Sequence, residues 1–193
     1  MKTKFNLDDI IDVIGSPIKK NCLCLGIDVA QIKTGMCLLR TDEKFLYIEG
    51  MYILIAKKDK NTLHQMVDKW VHEAIQLRGQ VEKDSKDIKK HILIIEDCWF
   101  SKSVWTTKIL SKFAVLAYLV FRKWATEAPD PIQPVTARKR IGFKKDTKDS
   151  TDTKKQVYNY LAEEFDLEIE DNDLADAYVL ALAGLVEVDD ATV

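Results

Sequence analysis

Glycine and proline are scarce, at 7 and 4 of 193 residues. That excludes a collagen-like or low-complexity chain. No apolar run approaches the roughly 18 residues needed to cross a bilayer. Residues 1–20 carry scattered Asp and Lys and have no apolar stretch of the signal-peptide kind. None of the four cysteines, Cys22, Cys24, Cys37 and Cys98, belongs to a CxxC pair. Three lie in apolar strand-like runs and Cys98 directly follows another. They are read as free thiols of a reducing compartment, with a cytoplasmic location expected. His64, His72 and His91 show no metal-ligand spacing with them. What is present, 47% hydrophobic and 31% charged residues, is enough for one folded domain with a real core.

The net charge of −2 conceals an asymmetry. Residues 156–193 hold 11 acidic residues and no Lys or Arg, which leaves 29 basic against 20 acidic residues in the rest. A basic body behind a neutral total suits either a nucleic-acid surface or uneven surface charge of no consequence. The segment Thr136 to Lys155 is the most basic, with 8 Lys and Arg against 3 Asp.

Periodicity predicts the elements. Leu7, Ile10, Ile11 and Ile14 follow Asn6 at helical spacing, and Gly15 and Pro17 end that helix. Leu23–Val29, Thr34–Leu39 and Phe45–Ile55 read as three antiparallel strands, with a turn near Asp42-Glu43. Asn61 is the expected N-cap of a helix running through Leu63, Met66, Trp70, Ala74 and Leu77, closed by Gly79, with Gln80 to Lys90 a charged loop. His91–Glu96 contains Ile92, Leu93, Ile94 and Ile95, apolar on both faces, the mark of a central buried strand. A helix is expected over Ser103 to Thr126, a short strand over Ile132 to Val135, and helices over Thr153–Glu164 and Asn172–Glu187. Three antiparallel strands followed by strand–helix alternation imply an α/β fold of the ribonuclease H-like kind. It would hold a mixed five-stranded sheet, three antiparallel strands and then parallel ones, flanked by helices.

Four acids stand out by position. Asp28 ends the first apolar strand and Glu96 ends the central one. Asp173 and Asp176 lie three apart at the start of the last helix, hence on one face. Asp176 is wedged among small apolar residues, where a carboxylate is costly unless it meets a cation or a hydrogen-bond donor. Each acid also has a plainer role: Asp173 suits a helix dipole and Asp28 a strand end. Together, hard oxygen donors from three elements are what Mg²⁺ or Mn²⁺ requires. Two such ions can activate a water and stabilise the leaving oxygen of a phosphodiester.

These residues resemble the RuvC-type Holliday junction resolvases of the ribonuclease H-like nucleases. Leu25-Gly26-Ile27-Asp28-Val29-Ala30 with Thr34-Gly35 is similar to the family's first-strand motif, although the usual Asp-Pro-Gly is here Asp28-Val29-Ala30. Ile94-Ile95-Glu96-Asp97-Cys98-Trp99-Phe100 resembles its central Glu motif, and Asp173 to Ala177 its Asp-x-x-Asp-Ala motif. The resemblance spans about residues 22–188. It implies a nuclease domain over 21–188; the lead-in over 1–20 is extra to the family pattern, and the acidic tail over 189–193 departs from it. It implies a catalytic, metal-binding tetrad of Asp28, Glu96, Asp173 and Asp176 holding two Mg²⁺ or Mn²⁺ ions. It also implies an active-site lysine, Lys154 or its neighbour Lys155. DNA contacts are expected from Trp99, as an aromatic wedge, from Phe100 beside it, and from Arg138, Lys139, Arg140, Lys144, Lys145 and Lys155. The implied activity is symmetric cleavage of four-way DNA junctions in recombination and repair.

A two-fold symmetric junction needs two sites in one particle. The helix over about 103–126 is apolar around most of its circumference and is the expected homodimer surface, burial within the same chain being the alternative. Two rival activities keep the tetrad or the surface: a nuclease of the same fold acting on RNA–DNA hybrid or structured RNA, and a junction-binding protein without catalysis. An ATP-binding protein of the actin and sugar-kinase type needs two lobes and a second glycine-rich phosphate loop, and 193 residues with 7 Gly offer neither.

Overall fold

The computed structural model describes residues 3–30, 32–55, 63–85, 87–97, 104–147 and 151–188. The expected N-cap Asn61, the aromatic pair Trp99 and Phe100, Cys98 and the tail over 189–193 lie outside these residues. In chain order the elements are β1 (Lys4–Asn6), α1 (Leu7–Ile14), β2 (Cys22–Asp28), β3 (Lys33–Thr41), β4 (Phe45–Ile55), α2 (Leu63–Asp84), β5 (Lys90–Ile95), α3 (Val104–Phe121), α4 (Pro134–Arg140), α5 (Thr153–Phe165) and α6 (Asn172–Leu185). The five strands form one sheet in the order β1-β4-β3-β2-β5. Neighbours pair antiparallel except β2 and β5, which run parallel.

The sheet is mixed and five-stranded, but its fifth strand is not the expected one. The stretch Ile132 to Val135, expected to be that strand, pairs through one parallel bridge, Glu96 with Ile132, and then turns into α4 at Pro134. Proline has no N–H to give a ladder and its fixed φ suits a first helical turn, so the ladder stops and a helix starts. The fifth strand is β1, where Phe5 stands opposite Leu46. The supposed lead-in is therefore built into the fold: Leu7, Ile10, Ile14 and Ile18 are buried, and Ile18 bridges to Val186. Asn6 caps α1 by accepting from the Asp8 amide at 3.0 Å, and Gly15 closes it in the left-handed region at φ 74°.

Two other boundaries move. Helix α2 does not end at Gly79 but continues to Asp84, through much of the expected loop. A glycine there costs about 1 kcal/mol. Burial of Val81 beyond it and the Arg78–Glu82 ion pair at 3.1 Å outweigh that cost. Helix α3 stops at Phe121, short of Thr126, because the chain turns back onto β5. The Thr126 and Glu127 amides both donate to the His91 carbonyl, at 2.8 and 2.9 Å, and the His91 ring stacks on Trp124.

Each face of the sheet has its own core. One packs α2 and α3 against Leu23, Leu25, Ile27, Leu93 and Ile95, and is filled by Trp70, Phe113, Phe121 and Trp124. The other packs α1, α5 and α6 against Cys22, Cys24, Cys37, Ile92 and Ile94. Helix α6 lies almost on the strands. A Cβ at Gly26 would collide with the backbone of Ala177 and Ala181, and one at Gly35 with the Asp173 carbonyl. Among the described residues Cys22, Cys24 and Cys37 are free and buried, as expected.

Candidate active site

Three elements end at one place. Asp28 is the last residue of β2 and is 7% exposed. The parallel pairing of β2 with β5 brings Glu96 alongside, its amide donating to the Ile27 carbonyl at 3.0 Å. Asp176 descends from α6, held against β2 and β3 by the glycines that let that helix approach. With Arg138 and Lys154 these acids line a cavity of about 220 Å³ whose apolar wall includes Pro134, Ala137, Val179 and Leu180.

The acids are treated differently. Asp28 and Glu96 are in direct hydrogen-bond contact. Burial, and then the Glu96 carboxylate, push the Asp28 carboxyl up to about 10. Glu96 is raised as well, chiefly by burial, while the bond from Asp28 works in its favour. Buried side by side, the two carboxyls resist being ionised together. Asp176 is instead clamped: Arg138 donates to one oxygen at 2.9 Å and Lys154 stands 3.0 Å from the other. Arg138 and Asp176 are each 16% exposed at the side chain, so this pair is largely out of water. Burial works against the Lys154 ammonium, but Asp176, Asp28 and Asp173 together hold its pKa above the ordinary lysine value.

Local structure explains the bases. Lys154 lies in the first turn of α5, and its neighbour Lys155 is exposed and does not line the cavity. That turn is tied to the preceding loop by Gln156, which accepts from the Asp146 amide at 3.0 Å and donates to the Thr151 carbonyl at 3.0 Å. Arg138 arrives on α4, within a stretch whose pattern announces only a basic segment. Lys139, Lys144 and Lys145 do not reach the acids; with Val135, Phe143 and Thr153 they line an adjoining cavity of about 210 Å³ that Arg138 shares. Arg140 is half-buried, and loss of solvent lowers its pKa. Thr34 holds the turn after Asp28, donating to the Ala30 carbonyl at 3.1 Å and accepting from Trp70 Nε1 at 3.1 Å.

Asp173 stands apart. It does not line the cavity, and its carboxylate lies 3.6 Å from Lys33, which also pairs with Asp171. Sequence reasoning passes over Lys33, although strand alternation from Gly35 places it on the α6 face. Among the described residues, no group of three His, Cys, Asp or Glu side chains is spaced to hold a metal ion as it stands. The donor chemistry of Asp28, Glu96 and Asp176 nevertheless fits a hard divalent cation: three carboxylates converge on one cavity, and a cation there would offset the cost of burying two of them side by side.

No protein-family model matches the chain, and no curated protein sequence does. Solved structures do. Thermus thermophilus RuvC in complex with Holliday junction substrate superposes with a TM-score of 0.61 at 10% identity, over 84% of this chain and 91% of that one. The chain has the RuvC fold. A second Thermus thermophilus RuvC structure gives 0.53 at 12% identity, over 83% and 92%. The yeast mitochondrial Holliday junction resolvase Ydc2 gives 0.48 at 12% identity, over 91% and 84%. At such identities the likeness concerns fold, and the RuvC-like reading of the sheet and helices rests on the two Thermus thermophilus structures. No described helix is long and apolar enough to cross a membrane.

Proposed function

We propose that this protein is a metal-dependent endonuclease that cuts four-way DNA junctions. The observation that carries the reading is the convergence of Asp28, Glu96 and Asp176 with Arg138 and Lys154 in one cavity of a RuvC fold. Asp28, Glu96 and Asp176 would hold Mg²⁺ or Mn²⁺. The bound cation would supply an activated water and charge stabilisation for the departing oxygen. Its charge would favour the ionised forms of both Asp28 and Glu96. Arg138 and Lys154 point into the same cavity and are placed to turn from Asp176 toward the scissile phosphate, where their charge is most useful as the phosphate gains negative charge. The water oxygen bonds to phosphorus, the bond to the 3′ oxygen breaks, and the products are a 3′-hydroxyl and a ligatable 5′-phosphate.

Lys139, Lys144 and Lys145 extend the positive surface away from the cavity, where they would meet flanking phosphates with strong salt dependence. Helix α3 supports pairing of two chains. It buries Phe113, Ala117, Val120 and Phe121 inward, yet leaves Val115 57% and Leu119 63% exposed on its other side, beside Tyr118. A homodimer through this face would put two sites in one particle.

The test is cleavage of a labelled four-way junction in Mg²⁺, beside duplex DNA and an RNA–DNA hybrid, with Asp28→Asn as control. Paired symmetric nicks in the junction alone, lost in Asp28→Asn, are the expected outcome. Cutting of the hybrid in place of the junction would transfer the same chemistry to a ribonuclease H-like substrate. Tight junction binding without any cutting would remove the catalytic reading.

A further inference from the structure

The cavity that adjoins the acidic one shares Arg138 with it, and both are built on α4. Pro134 and Ala137 wall the acidic cavity, while Val135 and Lys139 line the second. After α4 the chain turns at Gly142, φ 85°, and the Phe143 amide returns to the Arg138 carbonyl at 3.0 Å. Phe143 thereby comes to line the second cavity too. Its ring is held from below: it meets Tyr160 of α5 edge to face at 5.6 Å, and the Tyr160 hydroxyl donates to the Ile141 carbonyl at 2.6 Å. Gln156 ties Asp146, next to Lys145, to the first turns of α5. The floor of the cavity is therefore set by α5, as the position of Lys154 is.

The chemistry of the two cavities differs. Three carboxylates line the first; among the described residues none lines the second. Its wall is apolar, from Phe143, from Val135, which is 53% exposed, and from the methylene stems of Lys139, Lys144 and Lys145. Those three lysines are exposed and form a cationic rim with Arg138. A bare phosphate needs no apolar wall, and a purely apolar ligand needs no cations. A nucleotide uses both, and about 210 Å³ holds one base and not a base pair. We propose that this cavity takes one unpaired base of the strand to be cut, from a nucleotide next to the scissile phosphate. The inference rests on the endonuclease reading above and names what selects the branch point. Arg138, common to both cavities, puts base and scissile phosphate on neighbouring nucleotides. A base inside a duplex must first be unstacked and unpaired, and that cost is smallest where pairing is already broken. The cavity thus favours a branch over a continuous duplex. Packing on Phe143 and Val135 accepts any base, because every base has an apolar face.

The experiment measures junction affinity of full-length Asp28→Asn, so that binding is read without cutting. One base at a time is removed from the junction on either side of the nick that the parent makes. A loss of about tenfold is expected at one abasic position. Phe143→Leu in the same background should lose about as much on the intact junction, with its salt dependence unchanged, since no phosphate contact is removed. Combined with the sensitive abasic position, Phe143→Leu should lose no more than either change alone. If Phe143→Leu does not fold, Val135→Ser, at an exposed position, serves in its place. Losses that multiply would show that base and cavity do not meet, and would overturn the proposal. So would the lack of any sensitive position, or a weaker salt dependence in the variant, which would make the cavity a phosphate contact. Failure of the parent to cut junctions in Mg²⁺ would overturn the endonuclease reading and the proposal with it, whereas cutting with multiplying losses removes the proposal alone.

Discussion

The two faces of the sheet are built on opposite rules. The face under α2 and α3 is filled by large side chains: Trp70 and Phe113 meet edge to face at 5.8 Å, and Phe121 and Trp124 pack beside them. The face under α6 is filled by backbone, with Gly26 and Gly35 on the strands set against Ala177, Ala181 and the Asp173 carbonyl. Large side chains reach a common density through many rotamers, whereas backbone against backbone has a single distance. The acids sit on the second face. Their separation is set by helix-to-strand contact, and no long side chain intervenes to relax it.

If that contrast is right, removing volume should injure the first face and adding volume the second. Phe113→Ala is expected to cost about 3–5 kcal/mol, the usual range for a fully buried aromatic, while the surviving folded protein still binds Mn²⁺ as the parent does. Urea unfolding followed by calorimetry on the folded fraction checks both halves, and a loss of Mn²⁺ affinity would mean that the two faces are not separate. Gly35→Ala adds one methyl group to the other face. It should cost about 1–3 kcal/mol by overpacking and, unlike Phe113→Ala, should weaken Mn²⁺ binding, because α6 must lift. Equal Mn²⁺ affinity in Gly35→Ala and parent would end the claim that backbone contact sets the site.

Asp28→Asn sharpens the comparison through pH. In the folded chain Asp28 holds its proton up to about 10, against 3.8 when free. Between those values the folded state binds the extra proton, so folding weakens as pH rises. Asp28→Asn removes that penalty. Without divalent metal it should be more stable than the parent by about 1–3 kcal/mol above neutrality, and the two should converge near the free value. Parallel stability–pH curves would show that the buried pair carries no such penalty. The smallest effect belongs to neither face: Gly79 lies mid-helix, with open space where a Cβ would stand. Gly79→Ala should therefore stabilise α2 by about 0.5–1 kcal/mol, read as a small rise in unfolding temperature with cleavage unchanged.

Much of the centre is legible in the sequence because its acids interrupt apolar runs. Asp28 closes Leu23–Ile27, Glu96 closes Ile92–Ile95, and Asp176 lies in a helix of Ala and Leu; a carboxylate in such a place demands a partner. Lys154 is marked too, and the structure separates it from Lys155 by the face of α5 on which each falls. Asp173 is legible as an acid but not as the partner of Lys33. That pairing spans β3 and α6, elements far apart in the chain, and leaves no local pattern. Helix α4 escapes notice because its seven residues are too short for periodicity to register. Strand β1 does so because three residues are too few to alternate.

Sequence by itself determined the strands and helices of the core, since hydrophobic period follows from the geometry of each element. It also determined which carboxylates would be buried, because the residues around them leave no solvated place. The tertiary structure alone decided how those carboxylates divide: Asp28 with Glu96, Asp176 with Arg138 and Lys154, and Asp173 with Lys33. Ion pairing depends on distances of a few ångströms between residues remote in sequence, and those distances exist only once α6 has settled onto the glycines of β2 and β3.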